Sequence, residues 1–402
     1  MKDTLRRAAV LSLAVFTLVS ASSCRYTPHM TDIANFETIQ IIGVDKGGEH
    51  GKEFVVTIVA DRPAGEDADP VVGYMTVAGP TFTETMEKIN TYATAWHHMG
   101  YVDYYLFGEN AAKEDIGTYL DYIMRDYESR YSAQVFVVRD GTAAELIANA
   151  NSKSASLLSM LEGNDGTMRH ESTTETMRLI DLVNAMSTDH HCAVIPALSG
   201  KDFDFASTTA DDLPKQIIVA NGYAVIRDYK LTGYIDRDIA RGYNMLYGKM
   251  YEAPVRVEDP DGYIVVLDVM NTMTEFNTTW SGDKLTEVEY KFYTYMNISE
   301  ALGKSDILSE ADLQYIGKQV SRVLGEEVQS VLDIQRENNV DLIEICERVR
   351  MKNPVKWAKI EDDWAEILPE VKVKFSIACT VRRSYDIKEP VAATQSGAED
   401  KK

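Results

Sequence analysis

An unbroken alternation of apolar and polar residues runs through VKVKFSIACTV, at 371–381. A period of two puts every second side chain on the same face of an extended chain, so this segment predicts a strand with one buried face. A helical stripe runs through 313–332, and Ser309 and Asp312 stand before it in the pattern that caps a helix. The C-terminal half is therefore predicted to contain strands and a long amphipathic helix whose apolar stripe belongs to the core.

The N-terminal half alternates between strand and helix patterns. Two β-branched runs at 38–47 and 53–61 are separated by a Gly-containing polar segment, which predicts a hairpin. Thr81 and Glu84 then form a capping box before a helical stripe that extends to Trp96. The predicted fold class is α+β, with mixed β-sheets and packed helices in two to three α/β modules. The polar segment 162–175 has no apolar period and predicts a surface loop.

Length and local composition predict how the chain divides into domains. With 402 residues, it is long enough for two or three domains. The polar segment 199–215 contains Gly, Pro and four aspartates, and it predicts a boundary between an N-terminal domain at 24–205 and a C-terminal domain at 206–388. The second domain is predicted to divide into two subdomains near residue 285. The small and polar residues at 389–402 predict a disordered tail.

The first residues form a signal peptide. Basic residues precede the apolar stretch AAVLSLAVFTLVSA, which is too short for a comfortable membrane span. Small residues at 21–23 lie directly before Cys24, as in the site of a lipoprotein signal peptidase. Residues 1–23 are therefore predicted to be removed, and Cys24 is predicted to receive diacylglycerol on its sulfur. The alternative is ordinary cleavage after Ala21, which would leave a secreted protein without an anchor.

The formal net charge of −22 argues against nucleic acid as a partner, because such a field repels phosphate backbones. The letters DHHC at 189–192 match the name of a protein acyltransferase. Such an enzyme needs a zinc-bound, cysteine-rich domain between membrane helices. Here the only other cysteines are Cys24, Cys346 and Cys379, and no run of eighteen apolar residues follows residue 23. The motif therefore predicts a half-buried loop.

No further motif predicts chemistry. Cys192, Cys346 and Cys379 are widely spaced and are predicted to be buried, small apolar residues. The adjacent pairs at 97–98 and 190–191 are poorly placed for one metal, because neighbouring residues point in different directions on a strand or a helix. The sequence predicts no catalytic residue, no cofactor and no metal site, and the chain is predicted not to be an enzyme.

The C-terminal segment 333–384 resembles the Ger(x)C family, the lipoprotein C subunits of the nutrient germinant receptors of spores. The resemblance is carried by Gln335, the VDL at 340–342, Pro354, Trp357, Trp364 and an alternating strand that ends with Arg382 and Arg383. Two further segments agree with it, IIGVDKG at 41–47 and the stretch 222–249.

This resemblance implies a non-enzymatic subunit of α/β modules that is required for nutrient-triggered germination in a sporulating bacterium. It implies attachment through the lipid on Cys24 to the outer face of the spore inner membrane, beside the integral A and B subunits of a germinant receptor. Of the family's functional residues, Cys24 alone transfers to this sequence.

Two other classes stay open. A solute-binding lipoprotein would capture a nutrient directly, and it would have a deep cleft between domains with convergent polar groups. An extracellular hydrolase would gather carboxylates or histidines with shifted pKa values in one pocket.

Overall fold

The structure is a computed structural model that describes residues 36–47, 53–62, 71–92, 96–151, 157–188, 191–202, 214–250, 252–302 and 309–382. Two mixed β-sheets with helices packed on them form these parts of the chain. The α+β prediction is therefore confirmed. Within these ranges, no helix combines the length and the apolar character needed to cross a membrane.

Ten strands form the first sheet. They are β1 (Phe36–Gly47), β2 (Glu53–Arg62), β3 (Val71–Gly79), β4 (Trp96–His98), β5 (Tyr104–Gly108), β6 (Gln134–Val138), β7 (Met177–Arg178), β8 (Cys192–Asp202), β9 (Gln216–Arg227) and β10 (Lys230–Ile235). Their order is β10-β9-β8-β6-β5-β1-β2-β3, with β4 beside β1 and β7 beside β6. The predicted hairpin is confirmed, because β1 and β2 pair in antiparallel fashion.

Helices cover both faces of this sheet. They are α1 (Phe82–Tyr92), α2 (Glu109–Glu114), α3 (Gly117–Arg125), α4 (Ala143–Ala150), α5 (Leu157–Glu171) and α6 (Leu179–Met186). Ile42 and Ile58 belong to the core on the side of α1 and α3, whereas Ile41 and Val59 belong to the core on the side of α4 and α5. Alternate residues of β1 and β2 therefore pack into two cores on opposite faces of the sheet, as expected for a sheet covered on both sides.

Two sequence predictions about helices were wrong. The stripe that was predicted to reach Trp96 ends earlier, because α1 stops at Tyr92 and Trp96 lies in β4, opposite Phe36 of β1. The predicted loop at 162–175 begins inside α5. Leu157 and Leu161 are fully buried in the first turns of α5, so packing against the sheet stabilises a helix that lacks a continuous apolar stripe.

The second sheet has four strands in the order β11-β12-β13-β14. These are β11 (Pro254–Glu258), β12 (Ile264–Ser281), β13 (Lys284–Ala301) and β14 (Lys372–Arg382). The alternation that predicted β14 is confirmed. Phe375 and Ile377 pack against the core, whereas Lys374 and Ser376 are exposed.

The remaining helices are α7 (Ala240–Tyr247), α8 (Glu310–Asn338), α9 (Ile345–Lys352), α10 (Pro354–Trp357) and α11 (Trp364–Ile367). Ser309 caps α8 as predicted, since its side chain accepts a hydrogen bond of 3.1 Å from the Asp312 N–H. Helix α8 lies very close to α7, where a Cβ on Gly242 would come 2.5 Å from the carbonyl carbon of Glu327. Beside this contact, Arg241 Nε donates to Glu327 Oε2 at 3.2 Å.

Strand pairing continues across the predicted domain boundary at 205 and 206. Strand β8 pairs with β9 over its whole length, so residues of the predicted C-terminal domain complete the first sheet. Val194 and Tyr223 of the first sheet belong to the same core cluster as Val255 and Phe292 of the second. The predicted subdomain division near residue 285 falls at the start of β13. The domain limits themselves stay predictions.

Candidate functional site

Cys24, the predicted lipidation residue, lies outside the described residues, and so do the signal peptide at 1–23 and the tail at 389–402. Asp189 and His190 of the DHHC letters also lie outside them. The structure therefore bears on other questions: what the remaining cysteines, carboxylates and cavities can do, and which of the open functional classes they favour.

His191 and Cys192 form a turn and the start of a strand. The His191 ring faces helix α6, with Nδ1 2.7 Å from the carbonyl oxygen of Met186. Cys192 is half-buried at the start of β8, and burial raises the pKa of its thiol to about 12. The thiol is therefore protonated near neutral pH, whereas a nucleophilic cysteine acts as the thiolate. This geometry favours a structural role for both residues.

The other two described cysteines are also free thiols. Cys346 is 8% exposed in the first turn of α9, and Cys379 is half-buried on the core face of β14. Burial raises the pKa of both thiols, that of Cys379 to about 12. In the parts of the chain that the structure describes, no group of three or more His, Cys, Asp or Glu residues is placed to hold a metal ion.

Three buried carboxylates have raised pKa values, and each has a structural partner. Burial raises the pKa of Asp45, which accepts hydrogen bonds from the N–H groups of Ala143 and Ala144 at 2.8 and 2.9 Å and so caps α4. Burial also raises the pKa of Glu327, the partner of Arg241. These groups belong to different elements and hold the fold together, unlike the clustered carboxylates expected of a hydrolase.

The third carboxylate, Asp341, organises the segment that resembles the Ger(x)C family. Its oxygens accept hydrogen bonds of 2.8 Å from the N–H groups of Ile345 and Cys346, at the start of α9. The indole Nε1 of Trp364 donates to Asp341 Oδ2 at 3.2 Å, and the Trp364 ring meets the Trp357 ring edge to face. Burial raises the pKa of Asp341. The aspartate of the VDL motif and both tryptophans therefore form one buried cluster.

A polar cleft of about 440 Å³ lies between α6, the end of α7 and the start of α9. If the chain were a solute-binding protein, polar groups that converge on a ligand would be expected in such a cleft. In this cleft Arg178 Nε lies 2.7 Å from Asp181 Oδ2, and the Tyr247 hydroxyl donates to Glu344 Oε1 at 3.1 Å. Desolvation beside the cleft wall raises the pKa of Glu344, although this residue is exposed overall. These polar groups are paired with each other, so the cleft does not favour solute capture at this position.

Comparisons with known proteins identify the family. The model of the spore germination protein N-terminal domain matches residues 29–199, and the model described as spore germination B3/GerAC like, C-terminal, matches residues 221–385. No curated protein matches the sequence. The structure is similar to the crystal structure of the GerBC protein, with a TM-score of 0.55 and 17% identity over 85% of this chain and 96% of that chain.

Both family models and the fold agree with the resemblance seen in the sequence. The two models match successive segments that together cover most of the chain, with the N-terminal model before the C-terminal one. The chain therefore belongs to the GerAC-like, or Ger(x)C, family of spore germination proteins.

Proposed function

We propose that this chain is the C subunit of a spore germinant receptor, that lipid on Cys24 holds it on the outer face of the spore inner membrane, and that it assembles there with integral A and B subunits. The match of both family models along the chain carries the proposal. The basic and apolar leader that ends directly before Cys24 supports the anchor.

The physical role of such a subunit is to present a folded surface at the membrane. A lipid at the extreme N-terminus confines the body to the membrane surface, which raises its effective concentration beside integral partners. Contacts of modest affinity are then enough for assembly. The strong negative charge keeps the body away from other acidic surfaces, including anionic lipid headgroups, so that docking depends on specific contacts with the partners.

Co-purification from spore membranes tests the assembly. The chain would carry a C-terminal affinity tag and be isolated in mild detergent, and a tagged lipoprotein of the same membrane from another family would serve as control. We expect two integral membrane proteins in roughly equal amounts with this chain and neither with the control. Recovery of a monomeric chain, with the same background proteins as the control, would contradict the proposal.

A further inference from the structure

Exposed tyrosines mark the surface of the first sheet and its helices. Among the described residues before position 250, five large apolar side chains are exposed, and all five are tyrosines. One of them, Tyr127, is 93% exposed. A single exposed ring needs no explanation, but several on one surface mark a place of contact. The five residues are Tyr74, Tyr92, Tyr101, Tyr127 and Tyr131.

The topology of the sheet brings three of these tyrosines to one end. Strands β1, β5 and β6 are parallel, so all three begin at the same end of the first sheet. The segment before β5 carries Tyr101, and the segment before β6 carries Tyr127 and Tyr131. Arg130 Nη1 donates to Asp103 Oδ1 at 2.5 Å and joins the two segments. These three tyrosines therefore lie at the end where the parallel strands begin.

The chain that leads from Cys24 enters the fold at this same end. Strand β1 begins at Phe36, opposite Trp96 of β4. Helix α1 ends at Tyr92, just before β4, which adds a fourth exposed tyrosine. Position 36 lies twelve residues after position 24, and no conformation of such a chain spans more than about 43 Å. A lipid on Cys24 would therefore hold this end within reach of the bilayer. We call the surface that carries Tyr92, Tyr101, Tyr127 and Tyr131 the tyrosine end.

Aromatic rings supply the attraction to lipid at the tyrosine end. Both arginines there are paired, since Arg125 Nε lies 2.9 Å from Asp121 Oδ2 and Arg130 pairs with Asp103. The described residues at this end therefore offer no unpaired arginine to acidic headgroups. A tyrosine ring has an apolar body and a polar hydroxyl, so it is stable at the boundary between acyl chains and headgroups. Such rings form the aromatic belts of membrane proteins.

We propose that the tyrosine end rests on the lipid bilayer, with its four rings among the headgroups. The rings come from three separate segments, so a broad, flat surface can meet them together. Strands β1, β5 and β6 then run away from the membrane, and the rest of the body stands above it. This inference rests on the anchor proposed at Cys24, which holds the tyrosine end at the bilayer, and it adds the orientation of the body.

Fluorescence quenching tests this orientation on the full mature chain, residues 24–402. A variant with Cys24→Ser is attached to phosphatidylcholine vesicles through an N-terminal hexahistidine tag and a nickel-chelating lipid. The vesicles contain a spin label near the headgroup end of an acyl chain. The three remaining native thiols are buried or half-buried with raised pKa values, so a fluorescent label reacts with an introduced cysteine. A label on Tyr127→Cys should be quenched, whereas one on Glu114→Cys, at the opposite end of the parallel strands, should lose almost no signal.

Two sets of three substitutions separate the effect of the rings from that of the tether. The first set should lower the ratio of bodies in contact to bodies out of contact about tenfold, and quenching at position 127 should fall with it. It consists of Tyr92→Ser, Tyr101→Ser and Tyr131→Ser. The second set removes three exposed tyrosines from elsewhere on the body and should leave quenching unchanged. It consists of Tyr263→Ser, Tyr293→Ser and Tyr315→Ser.

Each outcome decides for or against the tyrosine end. All six substituted tyrosines are exposed, so the thermal midpoints of both sets should stay close to that of the wild type. The proposal is overturned if the label at position 127 is quenched no more than the label at position 114, which would leave this end free for an integral partner. It is also overturned if the first set keeps the quenching, or if the second set loses as much. Because the tag replaces the lipid, a native chain without lipid on Cys24 would contradict the anchor and leave this result readable.

Discussion

A chain with Cys24→Ala is expected to be almost completely lost from membranes that have been washed with alkaline carbonate. If a diacylglycerol is attached to the Cys24 sulfur, each buried methylene of its acyl chains contributes about 0.8 kcal/mol to membrane binding, and two chains give a stable anchor. Alanine offers no sulfur for the thioether.

The measurement combines labelling with fractionation. Cells would be fed a palmitate analogue, and membranes would be washed with alkaline carbonate, which removes chains held only by protein contacts. Wild type should carry label and stay with the membrane, whereas Cys24→Ala should carry none and appear in the wash. Cys192→Ala is the matched control, because a half-buried thiol at the start of β8 should have no part in anchoring. A labelled, membrane-bound Cys24→Ala chain would exclude this anchor.

The largest loss of stability is expected from Asp341→Ala. The change leaves the N–H groups of Ile345 and Cys346 and the Trp364 indole without their acceptor, in a place that water does not reach freely. Each unpaired buried donor costs about 1 to 3 kcal/mol, so the free energy of unfolding should fall by about 3 to 5 kcal/mol. Urea unfolding would measure it as a shift of the midpoint.

Two further substitutions calibrate this loss. Asp341→Asn keeps one acceptor oxygen and should cost less than alanine. Ser309→Ala removes the cap of α8, where the hydroxyl is exposed and water can replace it, so we expect a loss of about 1 kcal/mol. If Asp341→Ala costs no more than Ser309→Ala, the carboxylate is not the organising centre of the C-terminal cluster.

Local patterns in the sequence correctly predicted the features that depend on residues close together in the chain. The alternation along β14 and the cap of α8 depend on residues close to each other, and both predictions are confirmed. Helix α5 shows the limit of such patterns. From residue 162 onward its sequence has no apolar period, but Leu157 and Leu161 in its first turns are buried against the sheet, and that contact is tertiary.

Long-range contacts explain what the sequence could not predict. Asp45 caps a helix that begins about 100 residues later, and no spacing rule connects the two. Composition also failed to predict the pairing of β8 with β9. The polar segment between these strands predicted a domain boundary, but the two strands pair in one sheet. Strand pairing follows the topology of the sheet and is insensitive to the polarity of the connecting segment.

The candidate functional residues also differ in whether a short contiguous segment is enough to predict them. Cys24 could be predicted because a signal peptidase recognises a short contiguous segment, and the four residues at 21–24 contain that information. Asp341 was noted only as part of the VDL motif in the family resemblance. Its role becomes evident only in the fold, since it accepts hydrogen bonds from the start of α9 and from the Trp364 indole, two separate segments of the chain.

The most direct test of the proposed anchor is the mass of the N-terminal peptide of the native chain. The chain would be isolated from spore membranes, digested, and analysed by mass spectrometry for its first residue and any attached lipid. We predict a mature chain that begins at Cys24 with diacylglycerol on the sulfur. A chain that begins at Ser22, as ordinary cleavage after Ala21 would produce, or one that begins at Cys24 with a free thiol, would contradict a lipid-anchored receptor subunit.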